Sequence, residues 1–186
     1  GSAGRGRLGL RLGDDIGRPR AGGVAERLTG RPQEEIFVNA AMERGKALES
    51  AAREAYSAST GYIVLESGFL KSTTIPWAGC SVDGHVAGPI RKIIELKVPS
   101  PKTHLAYLKA GQLPADYIPQ VQHNLRVTKA ESCDFVSFCP ELPDRLQLFI
   151  VTALPSSINV DAYRDELVKF LAEVESAVKE WEEYQP

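Results

Sequence analysis

The chain has 186 residues, of which 43% are apolar and 25% charged, and its formal net charge is −2. This composition is typical of a globular protein of one domain. The chain has no run of about 20 apolar residues and no charged segment leading into an apolar one, so we expect neither a membrane span nor a signal peptide. Its three cysteines lack a CxxC spacing, which indicates neither a disulfide framework nor a zinc site and favours a reducing cytoplasm.

The charge is unevenly distributed along the chain. Residues 161–186 hold 8 acidic and 3 basic residues, a net of −5, which leaves 19 basic and 16 acidic residues, a net of +3, in residues 1–160. Contact with a nucleic acid would therefore depend on a local basic patch and on bound cations rather than on the overall field of the protein.

The N-terminal segment carries no pattern of its own. Residues 1–23 are rich in Gly and Arg and have no helical or strand period, which favours a poorly ordered terminus over a basic arm. We therefore expect residues 1–28 to be a poorly ordered or atypical segment and residues 29–186 to form a single domain.

The first predicted helix runs from about Pro32 to Ala58, because apolar residues recur along it at helical spacing. Glu49 lies off this apolar stripe, with Gly45 four residues before it and Arg53 four residues after it. A glycine inside a helix costs roughly 1 kcal/mol relative to alanine, so Gly45 suggests that another backbone or a ligand approaches here. The alternative is an exposed Glu49–Arg53 ion pair.

The remaining pattern alternates between strands and helices. Three short strands, two helices, two strands and a last helix are predicted, at about Tyr62–Ser67, Ala78–Val82, Ile90–Val98, Pro101–Ala110, Asp116–Thr128, Cys133–Cys139, Leu146–Leu154 and Val160–Tyr184. Ser100 is suited to cap the helix that begins at Pro101. This order predicts an α/β fold with a mixed central sheet between helices.

The most informative stretch is CSVDGHVAGPIRKIIELKVP, from Cys80 to Pro99. Alternation along the third strand places Glu95 and Lys97 on one face and only apolar side chains on the other. Burying such charges costs several kcal/mol each, roughly, unless they are paired or bind a metal. Asp83 ends an apolar run and Gly84 is a turn signal, so a hairpin would bring Asp83 to the same edge.

Two carboxylates and a lysine that converge in this way resemble the active site of the PD-(D/E)XK nucleases, in which the carboxylates hold Mg²⁺ and the lysine lies by the attacking water. The alternative is a solvated ion pair on an exposed strand face.

Four motifs in order strengthen the nuclease interpretation: Gly45–Glu49 (GKALE), Ser81–Gly84 (SVDG), Glu95–Pro99 (ELKVP) and Tyr117–Gln122 (YIPQVQ). Over about residues 32–155 the chain resembles the phage lambda exonuclease family of viral recombination nucleases. The resemblance implies a PD-(D/E)XK restriction-endonuclease-like core and an exonuclease that depends on Mg²⁺, for which Mn²⁺ can substitute. It also implies 5′→3′ degradation of one strand at double-stranded DNA ends, a homotrimer, a single-strand annealing protein as partner, and a phage or prophage protein in the bacterial host cytoplasm.

The resemblance also implies roles for individual residues. Asp83 and Glu95 would bind the metals, with the Leu96 carbonyl as a further ligand, and Glu49 would serve a second metal. These are the hard oxygen ligands that Mg²⁺ prefers. Lys97 would serve the attacking water.

The resemblance implies that Gln120 would position groups at the site.

One pattern of the family is missing from the N-terminal part of this chain. Family members usually carry a Trp, an Arg and a Thr-Ala-Ser-like segment near the N-terminus that help to bind the 5′ phosphate, and residues 1–28 show no such pattern. The segment is truncated, altered or replaced, or 5′-end recognition differs here, with Arg44, Lys46 and Arg53 as the remaining basic candidates. An endonuclease of the same superfamily and a catalytically idle DNA-binding or recombination scaffold are the alternative functions.

Overall fold

A mixed sheet of five strands forms the centre of the protein. The computed structural model of the chain describes residues 21–30 and 40–185. Its strands are β1 (Val64–Leu65), β2 (Leu70–Lys71), β3 (Gly79–Cys80), β4 (Gly84–Val86), β5 (Lys92–Lys97), β6 (Ser132–Phe138) and β7 (Leu148–Ala153). The central sheet has the order β1-β4-β5-β6-β7, with β5 and β6 parallel and the other neighbours antiparallel. Strands β2 and β3 form a separate antiparallel pair.

Helices cover both faces of this sheet, as the sequence predicts. They are α1 (Ala21–Thr29), α2 (Ala40–Thr60), α3 (Pro101–Ala110), α4 (Ile118–Thr128) and α5 (Val160–Glu182). On one face Ile94 and Leu96 of β5 pack with Tyr56 of α2. On the other face Ile93 packs with apolar residues of α4 and α5. The alternation predicted for β5 is confirmed, and the two faces of this strand belong to different cores.

The predicted caps and turns are only partly confirmed. The Ser100 side chain accepts a hydrogen bond from the Thr103 N–H and caps α3 as predicted. The turn expected at Gly84 is wrong, because Gly84 begins β4 and the chain reverses later, around Gly88, whose φ is +109°. Gly84 serves a close approach instead: a Cβ on it would meet Val64 Cγ1 at 2.7 Å.

Two predictions about the N-terminal part fall partly on residues that the structure does not describe. The first eight residues of the predicted Pro32–Ala58 helix, 32–39, lie outside the described residues, and α2 continues to Thr60. Of the segment expected to be poorly ordered or atypical, residues 1–20 also lie outside, while Ala21–Thr29 forms α1, which packs on α5 through Val24 and Val174. No helix in the described part of the chain is long and apolar enough to cross a membrane.

Helix α4 is fixed between α5 and the small sheet by a buried histidine. His123 Nε2 lies 2.9 Å from the Gly79 carbonyl oxygen, to which it donates, and Nδ1 lies 3.0 Å from the Tyr163 hydroxyl. Because burial lowers the pKa of His123, the ring is neutral at pH 7 and its Nδ1 accepts the hydroxyl hydrogen. These two bonds set the position from which α4 presents its side chains to β5.

Candidate active site at the end of strand β5

Glu95 is the centre of the site and is buried, with 1% of its surface exposed. Its Oε1 accepts a hydrogen bond from Lys97 Nζ at 2.5 Å, and its Oε2 accepts one from Asn124 Nδ2 of α4 at 3.1 Å. Gln120, one turn before Asn124, also hydrogen-bonds to the Glu95 carboxyl group. The predicted pair of Glu95 and Lys97 is therefore enclosed by α4 rather than solvated.

Asp83 lies beside Glu95 because β4 pairs with β5 only as far as Gly84, which is opposite Ile94. One residue before that strand, Asp83 Oδ2 accepts a hydrogen bond from the Leu96 backbone N–H at 2.7 Å. The carboxylate thus takes the place of a strand partner for the residue that follows Glu95. A hairpin does bring Asp83 to this edge, as the sequence predicts.

Glu49 reaches the site from α2. Its Oε1 accepts a hydrogen bond from Arg53 Nη2 at 2.7 Å, which confirms the ion pair expected at this spacing. The pair is half-buried, because the Arg53 side chain is 14% exposed and the Glu49 side chain 38% exposed, and Arg53 Nη2 also lies 3.3 Å from the Asp83 carbonyl oxygen. Gly45 has no atom within 4 Å of a Cβ built on it, so no described backbone approaches it.

The three carboxyl groups act on one another electrostatically. Burial, and then the nearby Asp83 charge, raise the pKa of Glu95 to about 7, against the opposing effects of Lys97 and Gln120. The pKa of Glu49 is raised by burial and then by Asp83, while Arg53 lowers it. Asp83 therefore lies within electrostatic reach of both glutamates, and the site has an excess of negative charge that two basic side chains only partly offset.

Lys97 remains a charged ammonium group in this environment. Burial alone would lower its pKa, but the adjacent Glu95 carboxylate, and after it Asp83, raise the pKa above the ordinary value. Its Nζ lies 5.1 Å from the centre of the Tyr117 ring, within the range of a cation–π contact. Lys97 is therefore a hydrogen-bond donor at the site rather than a base.

The donor set suits a hard divalent cation. Carboxylate oxygens are the ligands that Mg²⁺ and Mn²⁺ prefer, and a cation would offset the mutual repulsion of Glu49, Asp83 and Glu95. In residues 21–30 and 40–185, no three or more His, Cys, Asp and Glu side chains lie close enough together to form a metal-binding group. The residues present fit a metal by the chemistry of their oxygens, and in the structure the carboxylates contact Arg53, Lys97, the Leu96 N–H, Asn124 and Gln120.

The structure adds one residue to the predicted set and shows that two of the basic candidates are hydrogen-bonded within the chain. Asn124 was not predicted as a site residue, although its position four residues after Gln120 on a helix was the available signal. Arg44 donates to the Val98 and Pro99 carbonyl oxygens and to Glu141, and Arg53 is engaged at the site. Of the three basic candidates for 5′-end contact, Lys46 is the exposed one.

Comparisons with known proteins identify the family. The YqaJ-like viral recombinase domain matches residues 23–131 of the chain. The alkaline exonuclease LHK-Exo from Laribacter hongkongensis is 36% identical, with a TM-score of 0.78, over 88% of this chain and 81% of that chain. A structure of LHK-Exo in complex with dAMP is 34% identical, with a TM-score of 0.80, over 92% of this chain and 88% of that chain.

A more distant structure shares the fold alone. The phage-related exonuclease from Haemophilus somnus 129PT is 14% identical, with a TM-score of 0.52, over 83% of this chain and 81% of that chain. No curated protein sequence matches the chain. The family match covers more than half of the chain and the identity to LHK-Exo extends over most of both proteins. The chain therefore belongs to the YqaJ-like viral recombinase family and is an exonuclease of the phage lambda exonuclease type.

Proposed function

We propose that the protein is a Mg²⁺-dependent 5′→3′ exonuclease that hydrolyses one strand of linear double-stranded DNA and leaves 3′ single-stranded overhangs for strand annealing. The observation that carries this proposal is the position of Asp83 beside Glu95 and Lys97, fixed by the bond from the Leu96 N–H to Asp83 Oδ2 at 2.7 Å. Two carboxylates and one ammonium group thus lie near the end of β5, and this supports a site in which bound metal ions assist phosphodiester hydrolysis.

The metal ligands are proposed from the family resemblance, and the oxygen donors of the site support them. Asp83 and Glu95, with the Leu96 carbonyl, would hold the first ion, and Glu49 would serve a second ion. Bound ions would stabilise the negative charge that develops on the attacking and leaving oxygens. Mn²⁺ would substitute for Mg²⁺, because both take oxygen ligands.

The other polar side chains orient the reacting groups. Lys97 is held by Glu95 and carries a positive charge, so it would donate a hydrogen bond to the attacking water and keep it in line with the phosphorus. Gln120 and Asn124 bind the Glu95 carboxyl from α4 and fix its rotamer. The protein thus supplies positioning and charge, and Glu95 must be ionised for its ligand role.

The substrate and product are proposed from the family and from one relative. The complex of LHK-Exo with dAMP indicates that this relative binds a deoxynucleoside monophosphate. Such a compound is the product expected when an exonuclease releases single nucleotides from a DNA end. We propose the same product here, together with a homotrimer, a single-strand annealing protein as partner, and activity in the cytoplasm of a bacterial host.

The proposal is tested on linear duplex DNA labelled at either the 5′ or the 3′ end of one strand. With Mg²⁺, we expect mononucleotides to be released first from the 5′-labelled end, and no cleavage in EDTA. Asp83→Asn and Glu95→Gln should each lower the rate by at least about 10³-fold, because each removes a charged ligand oxygen but little volume.

The matched control is Asp134→Asn. Asp134 is a buried aspartate of β6 on the sheet face that α2 covers, whereas Glu95 is on the face that α4 covers. This variant should lower stability without abolishing metal-dependent cleavage at a permissive temperature. Near wild-type cleavage by Asp83→Asn or Glu95→Gln, or release that begins at the 3′ end, would contradict the proposal.

A further inference from the structure

The Arg53 side chain joins three separate segments around the site. Its Nη2 donates to Glu49 Oε1 at 2.7 Å and lies 3.3 Å from the Asp83 carbonyl oxygen. Its Nη1 donates to Glu66 Oε1 at 2.7 Å, in the segment that follows β1. One guanidinium group therefore connects α2, the residue before β4 and the residue after β1.

Arg53 lies beside the close contact of β1 and β4. A Cβ on Gly84 would meet Val64 Cγ1 at 2.7 Å and the Leu65 carbonyl oxygen at 3.2 Å, whereas Arg53 Nε would be at 4.0 Å, an ordinary van der Waals distance. The glycine thus lets β1 and β4 approach one another next to Arg53. Arg53 Nε is buried with no hydrogen-bond partner among the described residues. The side chain therefore keeps this position through the contacts of its two terminal nitrogens, even though a buried donor stays unpaired.

The arrangement matters because Glu49 and Asp83 come from different elements. Glu49 is on a helix that packs on one face of the sheet, whereas Asp83 precedes an antiparallel strand. Their separation depends on how α2 sits against the sheet, and Arg53 Nη2 contacts both residues, Glu49 through its carboxylate and Asp83 through its backbone carbonyl. Because Nη1 is held by Glu66 as well, the planar guanidinium group keeps these contacts in a fixed relation, which a lysine ammonium group does less well.

We propose that Arg53 is a positioning residue that holds Glu49 and Asp83 at the separation required to bind the second metal ion. This inference rests on the assignment of Glu49 to a metal in the proposed function. Partners of metal ligands typically contribute about 10–100-fold in metal affinity. The opposing effect is Coulombic, since removal of a positive charge from a group of carboxylates would by itself tighten cation binding. The two effects have opposite signs, so one measurement separates them.

The experiment uses the full chain with Mn²⁺ alone as the probe, because its binding can be followed without DNA by calorimetry or by the spin resonance of the free ion. We compare the wild type with Arg53→Met and Arg53→Lys. For Arg53→Met we expect at least one class of Mn²⁺ sites to weaken about tenfold or more. For Arg53→Lys we expect restored thermal stability but weakened Mn²⁺ binding, since one ammonium nitrogen does not replace the contacts that Nη1 and Nη2 make together.

The matched control is Arg27→Met. The Arg27 side chain is 12% exposed, close to the 14% of Arg53, and is likewise ion-paired to a glutamate, Glu175. This ion pair joins α1 to α5 and includes none of the proposed site residues. This variant should lose thermal stability and keep wild-type Mn²⁺ affinity. Glu66→Gln provides a second variant that leaves Arg53 and both carboxylates in place, and we expect it to weaken Mn²⁺ binding less than Arg53→Met does.

Each outcome bears on one claim. Unchanged or tighter Mn²⁺ binding in Arg53→Met, with wild-type protein that binds Mn²⁺ and cleaves DNA, overturns the positioning role and leaves the proposed function intact. Wild-type protein that cleaves DNA equally well in EDTA overturns the two-metal function itself, whatever the Arg53 variants do. Weaker binding in both Arg53 variants but not in Arg27→Met supports the inference.

Discussion

Glu95 links the chemistry of the site to pH. Its pKa is raised from 4.5 to about 7, first by burial and then by Asp83. Because folding raises the pKa, the folded protein disfavours the ionised carboxylate. The contribution of Glu95 to stability is therefore fully present below about pH 4.5 and is lost as the pH rises through about 7. The shift corresponds to an effect on the order of 3 kcal/mol.

This predicts a difference between the wild type and Glu95→Gln that depends on pH. In EDTA, the free energy of unfolding of Glu95→Gln relative to wild type should increase between pH 5 and pH 8, since the amide does not ionise. With Mg²⁺ present, wild-type stability should instead be restored above about pH 7, because the ion binds the ionised carboxylate. Urea unfolding at several pH values measures both trends, and parallel curves for the two proteins in EDTA would contradict the prediction.

Lys97 tests the role of a fixed positive charge. Lys97→Ala should lower the rate of cleavage by at least about 10²-fold, the usual scale for one positioned electrostatic or acid–base group. Mn²⁺ binding should persist, because the oxygens proposed as metal ligands remain. Lys97→Arg is the control that keeps the charge and changes the shape. A Lys97→Ala protein that regains the full rate once Mg²⁺ is raised to saturation would instead identify Lys97 as a structural counter-charge.

At the scale of elements, α2 is bonded to a buried aspartate of β6 on the sheet face that the helix covers. Tyr56 follows Glu49 by two turns on the same face of the helix, and its hydroxyl donates to Asp134 Oδ2 at 2.7 Å. Asp134 is buried and also accepts hydrogen bonds from Lys92 Nζ at 2.8 Å and Thr152 Oγ1 at 2.7 Å. This network ties α2 to strands β5, β6 and β7.

Tyr56→Phe should therefore lower the free energy of unfolding by about 1–2 kcal/mol, the cost of one buried bond to a charged acceptor. Because Lys92 and Thr152 still bind Asp134, and Arg53 still holds Glu49, cleavage should stay within about twofold of wild type below the melting transition. Urea unfolding and a cleavage assay on the same preparation check both parts. Tyr62→Phe, at an exposed ring, is the control for loss of a hydroxyl alone. A large loss of cleavage with unchanged stability would contradict this division of roles.

The elements also show what sequence patterns reveal and what they miss. The boundaries of α3 and the two faces of β5 follow from capping and alternation, which are local properties of the chain, whereas α4 begins at Ile118 without a side-chain cap, two residues after the predicted start at Asp116. Strand β2, with two residues, is too short for a period of its own. Gly84 was wrongly predicted as a turn because a glycine required by close strand packing has the same one-letter signal as a glycine required by a turn.

At the scale of the molecule, the predicted site residues come from two places: four lie around the end of β5, and Glu49 is contributed by α2. The structure brings together Asp83, Glu95, Lys97 and Gln120 around one strand end, with Glu49 joined through Arg53. The spacing of Glu95 and Lys97 made their shared face predictable. The contacts that fix Asp83 and Arg53 join segments distant in sequence, so only the folded chain reveals them.

The last prediction concerns the form of DNA that the whole molecule accepts. An exonuclease that encloses a duplex must thread a free end, so linear DNA should be digested with Mg²⁺ while covalently closed circles of the same sequence persist.

We also expect faster attack on a 5′-phosphoryl than on a 5′-hydroxyl end. Lys46 is the exposed member of the three basic candidates, so Lys46→Ala should reduce this preference more than it reduces the rate on 5′-hydroxyl ends. Digestion of both linear forms and circles, labelled on one strand and followed on denaturing gels, separates the claims. Cutting of closed circles would favour an endonuclease of the same superfamily. Equal rates on the two 5′ ends would remove only the end preference, because in the proposed function hydrolysis depends on the carboxylates of β5 and its neighbours and not on the group that contacts the terminal phosphate.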